Sequence, residues 1–475
     1  MRKNEEQNSK LPDEVVRYKN NPDGFFDAEE YFNVADYYEE KIDIDSAIAV
    51  IRRGLTVYPN DVALRYEFAR LHIVSGDLDS AEKLFEAMMA DDDYVTDLDD
   101  VISVLLMLAK IHIEQCDIES VKHEVKSVDG WISSKLSDEV AIESYLDYAT
   151  SLYQCFMYSY AIDVLKKGHK RFPDNIQILE SLIECYVRDG SDYNNAIKYC
   201  EKALDVAPYN EKLWFKLGWL HRYSDNYKEA INAFDYATSI NAKAYDAWHA
   251  MGDCYVKLEN YVRACECYLK VLGKKDVGVK DYNLVADMCN YCDLYENARK
   301  YYNKSLDIDE DNAEALFGIG MSYFLDSKNK ETNASRAIYW IKRALNEDSG
   351  NEFYWMVIGE CYYISNNWGH AIFAYHKAVD INPSQTSALI KLGQIYIIID
   401  DYDEAIVHLN KAKLLDPNSG IVTISLAIAY YSLKEYTNAK YYLMHAIRLD
   451  SSAESLFLEI HPHATKFVEN VKKLV

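Results

Sequence analysis

A small residue returns at a fixed interval through most of this chain. Ala196, Ala230, Ala264 and Ala298 are 34 residues apart, and so are Ala337, Ala371, Ala405 and Ala439. An interval of this size is that of one supersecondary unit stacked on copies of itself, since a lone helix pair cannot bury its apolar face and must bury it against the next pair. The residues around the landmark repeat with it. The clearest copy reads Trp214-x-x-Leu217-Gly218, then Tyr227-x-x-Ala230-x-x-x-Phe234-x-x-Ala237. Another reads Trp355-x-x-Ile358-Gly359-x-x-Tyr362, then Trp368-x-x-Ala371-x-x-x-Tyr375-x-x-Ala378, closing on Pro383.

With the landmark as a ruler, the second helix of each unit is placed at Ala47, Ala81, Val121, Ala161, Ala196, Ala230, Ala264, Ala298, Ala337, Ala371, Ala405 and Ala439, which makes twelve repeats. The spacing widens to 40 residues on either side of Val121, to 35 before Ala196 and to 39 before Ala337. Each surplus is read as a loop or a lengthened helix, with insertions at Asp91 to Asp100, around Gly130 and Trp131, and from Asp326 to Thr332 between the two helices of the ninth repeat. Proline tests the register independently, because it removes a donor and clashes with the preceding turn of a helix. Pro59, Pro173, Pro208, Pro383 and Pro417 all lie twelve residues past their landmark, where a second helix must end. Gly218, Gly252, Gly320, Gly359 and Gly393 share one position inside first helices. Glycine costs about 1 kcal/mol there relative to alanine, so the spacing predicts a close approach of the second helix.

This pattern resembles the tetratricopeptide repeat. The resemblance implies an all-α fold, an α-α superhelical solenoid of tandem helix-turn-helix repeats, whose family members bind other proteins on a concave surface lined by the first helices. Residues 1–24 are polar, with Pro12 and Pro22, and are read as a disordered or loosely attached leader; 25–452 form the array; 453–475 form a C-terminal cap, with Phe457, Ile460 and Phe467 covering the end of the core.

Hydrophobic residues make up 49% of the chain, enough for a continuous core, but its net charge of -26 should repel phosphate. Nucleic acid and anionic membrane surfaces are therefore poor partners, while basic peptides or protein faces fit. About two thirds of the excess lies early: residues 1–140 hold 32 Asp and Glu against 15 Lys and Arg, densest around Asp91, Asp92, Asp93, Asp97, Asp99 and Asp100. That run reads as a solvated loop or, alternatively, as a docking face for a basic partner. The first residues lack the apolar stretch of a secretory signal, and no run of about 18 apolar residues occurs. Ten cysteines scattered among predicted helices fit reduced thiols, so a cytoplasmic protein is expected.

Repeats occupy nearly the whole chain, and it contains no phosphate-cradling loop, nucleophile elbow or metalloprotease helix motif. An enzyme is not expected, nor a cofactor. Cys289-Asn290-Tyr291-Cys292 has the spacing of half a zinc site, and Cys265-Glu266-Cys267 lies one helix earlier. However, Cys289 sits at the core phase of Tyr323, Tyr362 and Tyr396, which suits a small buried residue better than a ligand. His461-Pro462-His463 reads as loop.

Binding is expected on the stripe beside the core stripe, about 100° around each first helix. In the family that stripe lines the groove. Here it carries Phe215, Trp219 and Arg222 in repeat six, and Phe317, Met321 and Phe324 in repeat nine. Met356, Glu360 and Tyr363 follow in repeat ten, Ile390, Gln394 and Ile397 in repeat eleven, and Ile424, Ile428 and Tyr431 in repeat twelve. Repeats seven and eight are polar, with His249, Asp253 and Val256, then Asn283, Asp287 and Asn290. Chaperone-binding family members clamp a terminal carboxylate with Lys, Arg and Asn. This stripe has Arg222 as its only cation, and Asp253, Asp287 and Glu360 would repel such a tail. The sequence thus reads as a non-enzymatic scaffold or adaptor holding a protein or peptide against this apolar stripe; the alternative is a self-associating solenoid, a homo-oligomer without an outside ligand.

Overall fold

Helices start and stop where short polar residues can satisfy the free amides at their ends. Asp43, Asp61, Asp77, Asn175, Asn210, Asn312 and Ser419 each accept a backbone N–H of the first turn through their side chains, a bond worth about 1 kcal/mol per cap. Part of the chain's acidity is therefore capping chemistry. The computed structural model describes residues 12–90, 98–115, 117–132, 137–190 and 193–474. These contain no strand and form twelve helical hairpins, from Ala28–Glu40 with Ile44–Val57 to Gly420–Ser432 with Tyr436–Leu449.

The chain divides into two compact units, Met1–Ile240 and Asn241–Val475. The first holds repeats one to six and the second holds repeats seven to twelve with the C-terminal helices. Within each unit, the second helix of a hairpin packs on its own first helix and, except in repeat three, on the first helix of the next hairpin; the second helix of repeat three, Ile118–Trp131, meets the second helix of repeat four, Tyr158–Arg171. All twelve landmark residues, Val121 included, are 0% exposed, so the ruler found the axis along which hairpins nest. Second helices end at Val57, Arg171, Val206, Ile381 and Leu415, each two residues before one of the five phased prolines. Trp214 and Trp355 pack half-buried against the core and tie down the preceding loops, their indole N–H groups donating to the carbonyls of Pro208 at 2.7 Å and Ser349 at 2.9 Å.

The phased glycines mark close approach, as expected. A Cβ on Gly218 would lie 2.5 Å from the Phe234 ring, and one on Gly359 would lie 2.8 Å from the Tyr375 ring. Phe234 and Tyr375 are both 0% exposed, so neither ring has space to retreat. Gly218→Ala is expected to destabilise the first unit by about 1–3 kcal/mol through overpacking. Chemical denaturation of the single variant and of Gly218→Ala/Phe234→Leu checks this: the shortened side chain should restore part of the loss, and strictly additive losses would show that the two positions do not collide.

The turn inside each hairpin has a device that the sequence pattern did not announce. Ten hairpins pass through one left-handed residue, which is glycine only at Gly76 and Gly190; the others are Ile42, Phe156, Asp225, Glu259, Asp293, Asn366, Asp400 and Lys434. In repeat six the Asn226 N–H reaches back to the His221 carbonyl at 2.9 Å, a helix-ending bond that needs the left-handed step. Asp225 and Asp293 also accept the hydroxyl of the tyrosine two residues on, Tyr227 and Tyr295, each at 2.6 Å, and Asp400 accepts that of Tyr402 in the same way.

Several expectations are corrected at the edges of the array. Within the leader, Asp13–Asn20 is a helix whose Val15 is 0% exposed, because Val15 joins Phe26 and Tyr31 in the first core cluster; residues 1–11 lie outside the described residues. The acidic insertion is met in part as a lengthened helix, since a 17-residue helix begins at Leu98; 91–97 are outside the described residues. Gly130 and Trp131 close the helix Ile118–Trp131, and 133–136, which follow them, lie outside the described residues. The insertion after Asp326 is present as a 3-10 turn, Ser327–Asn329, leading into a lengthened second helix of 18 residues, Lys330–Glu347. The cap is two short helices, Ala453–Ile460 and Thr465–Lys472. Phe457 is fully buried and Phe467 packs beside it, whereas Ile460 is 51% exposed because it falls on the outer side of its short helix.

Candidate functional site

The predicted stripe residues occupy first-helix faces, but they differ in how open they are. In repeat six, Phe215 and Trp219 meet edge to face at 6.1 Å, and the Arg222 guanidinium lies over the Trp219 ring at 4.5 Å. That cation is held against an aromatic face, a geometry that favours charge over a ring quadrupole. In the second unit, Phe317, Met321, Phe324, Met356, Tyr363, Ile390 and Ile397 are all half-buried. Each has one side on the core and one side outward. Tyr363 carries the Lys391 ammonium at 4.9 Å from its ring, and the same ammonium pairs with Glu360 at 3.0 Å.

The last three stripe residues are corrected by the structure. Ile424 and Ile428 are 7% and 5% exposed, because the C-terminal helices fold over them and place Phe457 and Val468 in the same cluster. Tyr431 packs against Phe457 at 5.2 Å and Phe467 at 5.0 Å. The stripe of repeat twelve is the seat of the cap. The open apolar surface therefore runs from repeat nine to repeat eleven.

Where this surface begins, the first helices of repeats eight, nine and ten enclose a cleft of about 400 Å³. One wall is Asn283, Asp287 and Asn290, four and three residues apart and so on one face of the helix Val279–Tyr291. The other wall is aromatic: Phe317 stacks on Tyr354 at 4.2 Å and meets Phe353 edge to face at 5.6 Å. Sequence reading had set the polar repeat eight apart from the apolar repeat nine; the fold joins them in one site. It missed Phe353 and Tyr354, which lie one step N-terminal to the stripe on their helix.

Tyr302 was also missed, and it organises the polar wall from the second helix of repeat eight. Its hydroxyl donates to Asp287 and accepts from the Asn290 amide at 3.3 Å. Burial pushes the Asp287 carboxyl up to about 6, with the Tyr302 bond opposing and the Glu314 charge adding to the rise. Burial and the neighbouring Asp287 charge hold the Tyr302 phenol well above its ordinary range. A usable signal existed in the sequence. Repeat nine has a second glycine, Gly318, and a Cβ there would lie 2.2 Å from the Tyr302 ring, so its absence opens the passage through which the ring reaches Asp287.

In the cysteine clusters Cys267 and Cys289 are buried and Cys265 and Cys292 half-buried. Cys289 is 3% exposed and its sulfur lies 4.0 Å from that of Cys265. Among the described residues no three His, Cys, Asp or Glu side chains converge as metal ligands. His461 lies against Tyr431 and Phe457. No helix among the described residues is long and apolar enough to cross a membrane.

Tetratricopeptide-repeat models match residues 40–94, 215–276 and, in three pieces, 188–210, 282–312 and 424–452. A model of subunit 3 of the anaphase-promoting complex, or cyclosome, matches 330–412. A TPR repeat-containing protein of Methanocaldococcus jannaschii is 29% identical over 126 residues, 25% of this chain and 36% of that protein. The ER membrane protein complex subunit 2-A of Xenopus laevis is 21% identical over 205 residues, 42% of this chain and 68% of that one. The chain spans about a third of the length of each of two archaeal relatives that it matches, 36% and 35%. Among solved structures, the C-terminal part of a TPR repeat-containing protein from Cytophaga hutchinsonii matches with a TM-score of 0.42 at 15% identity, over 50% of this chain and 96% of that one. The Cut9–Hcn1 hetero-tetramer of the anaphase-promoting complex gives 0.37 at 14%, over 84% and 89%. The 34-residue interval, the twelve helical hairpins and the repeat models laid over them agree: this chain belongs to the tetratricopeptide-repeat family.

Proposed function

We propose that the protein is a scaffold that holds a polypeptide partner against the first-helix face of repeats eight to eleven. The observation that carries this reading is the run of half-buried apolar side chains from Phe317 to Ile397, continuous with the cleft beside Asp287. A run of this kind, with the core beneath it and outward faces above, supplies anchors for an extended or helical segment. One family model and one relative are named as subunits of multiprotein complexes, which supports a role in holding other polypeptides. The scaffold reading requires no catalytic group.

Phe317→Ala and Ile390→Ala are expected to weaken binding of the native partner by about tenfold or more, the effect of truncating an interface anchor. The thermal midpoint should stay nearly constant. Calorimetric titration and melting curves recorded on the same samples check this, and a large fall in midpoint with unchanged affinity of the folded fraction would make both residues core. Light scattering over a concentration series addresses the self-associating alternative, which predicts a dimer that dissociates on dilution.

A further inference from the structure

Three acidic residues occupy equivalent positions on the first-helix face of repeats seven, eight and ten, and two of them have a basic neighbour. His249 Nδ1 lies 3.6 Å from Asp253, and Lys391 Nζ lies 3.0 Å from Glu360. Asp287 has none. The groups that act on its carboxyl are its own burial, the Tyr302 hydroxyl and a second acid, Glu314, with no cation among them. A buried carboxylate is costly unless a positive charge accompanies it, and here one oxygen is already spent on Tyr302.

The amides beside it point the same way. Asn283 is 5% exposed. Its NH2 donates to Asn312 Oδ1 at 3.2 Å and Glu314 Oε2 at 3.4 Å, and Asn312 Oδ1 itself accepts the Ala315 N–H at 3.0 Å, so the orientation of both amides is fixed. The Asn290 NH2 is likewise fixed by donating to Tyr302, whose own proton is given to Asp287. Both amides therefore present a buried carbonyl oxygen that accepts no hydrogen bond from a protein group. An unpaired buried acceptor costs about 1–3 kcal/mol. Two such oxygens and a carboxylate without a counter-charge line one wall of the cleft, and the aromatic wall of Phe317 and Phe353 stands opposite.

We infer that this cleft takes the basic side chain of a partner polypeptide, an arginine or a lysine, with the cationic head on Asp287, Asn283 and Asn290 and its methylene stem along Phe317 and Phe353. Donors are wanted at the head, since the Asp287 carboxylate and the two unpartnered amide oxygens are all acceptors; guanidinium and ammonium groups carry donors and no acceptor. A long aliphatic stem beneath a charge suits an apolar wall. A carboxylate or phosphate would meet the wrong charge at Asp287. The inference rests on the scaffold reading above and specifies the chemistry of one anchor.

Titrating the full-length protein with the capped tripeptide acetyl-Arg-Phe-Ala-amide, its lysine counterpart and its citrulline counterpart tests it. Citrulline keeps the shape of arginine without the charge. The arginine or lysine peptide is expected to bind at least tenfold more tightly than the citrulline peptide, and Asp287→Asn, which still accepts the Tyr302 hydroxyl, should abolish that preference. Which of the two cations binds better assigns the head group. Equal affinity for arginine and citrulline, no binding of either cationic peptide at 10 mM (about the weakest useful affinity for one anchor), or a preference unchanged in Asp287→Asn would overturn the inference. If the native partner nevertheless loses affinity on Phe317→Ala and Ile390→Ala, the scaffold reading stands and the basic anchor alone has failed. Loss of neither would remove both.

Discussion

Asp287→Asn is expected to make the protein more stable at pH 7, by about 3 kcal/mol at most. The carboxyl sits at about 6 in the folded chain against an ordinary 3.8, and each tenfold change in proton affinity is worth about 1.4 kcal/mol. For an acid whose folded value is raised, the folded state binds more protons between the two values, so stability falls as pH rises from about 4 to about 6 and is level above that. The groups around the carboxyl are Tyr302 and Glu314, with Asn283 and Asn290 on its own helix. Tyr302 stays protonated across this window. Asparagine carries no charge, so the variant should show a flatter profile and the gap between the two proteins should close towards pH 4. Urea denaturation at intervals from pH 4 to 8 measures it. A variant less stable than the parent at pH 7 would mean that the carboxylate is already compensated within the fold. A residue that weakens its own protein is expected where binding requires it.

Phe457→Ala should have the opposite sign and a larger size. Phe457 is 0% exposed and joins Val468, Ile424 and Ile428 in the terminal cluster. Removing a buried phenylalanine costs about 3–5 kcal/mol through lost transfer energy and the cavity left behind. The loss should not spread evenly. Terminal repeats of a stack have a neighbour on one side only, so Gly420–Ser432 and Tyr436–Leu449 should lose amide protection first while the helices of repeat nine keep theirs. Hydrogen exchange read by mass spectrometry checks this. Uniform loss across the second unit would show that the cap is not a separate layer.

Most of the architecture was legible because a repeat writes its constraints many times. The landmark alanines, the phased prolines and the shared glycines each reported a steric fact, and each met its partner where the phase placed it. The site was legible only in part. Phase alone put Phe317, Met321 and Ile390 on the first-helix face, yet it also put Ile424 and Ile428 there. Periodicity assigns an azimuth on a helix and says nothing of what comes to rest above it, and the two short helices after Ala453 do that. The cleft was missed for a related reason. Its polar wall and aromatic wall belong to different repeats, and Tyr302 reaches it from a second helix through the opening at Gly318. Such a meeting depends on distances between hairpins, which one period of sequence does not contain.

The left-handed residues inside the hairpins bear on how such chains diverge. Backbone torsion, and not a residue type, sets each reversal, and it accepts isoleucine, phenylalanine and lysine as well as glycine. A search of the sequence for glycine hinges would have found two corners and overlooked eight. Every overlooked corner tolerates a clash of roughly 1 kcal/mol that packing on both sides outweighs. The geometry of the coil is thus guarded by count, the number of residues from one corner to the next, which leaves the letters at the corners free to drift.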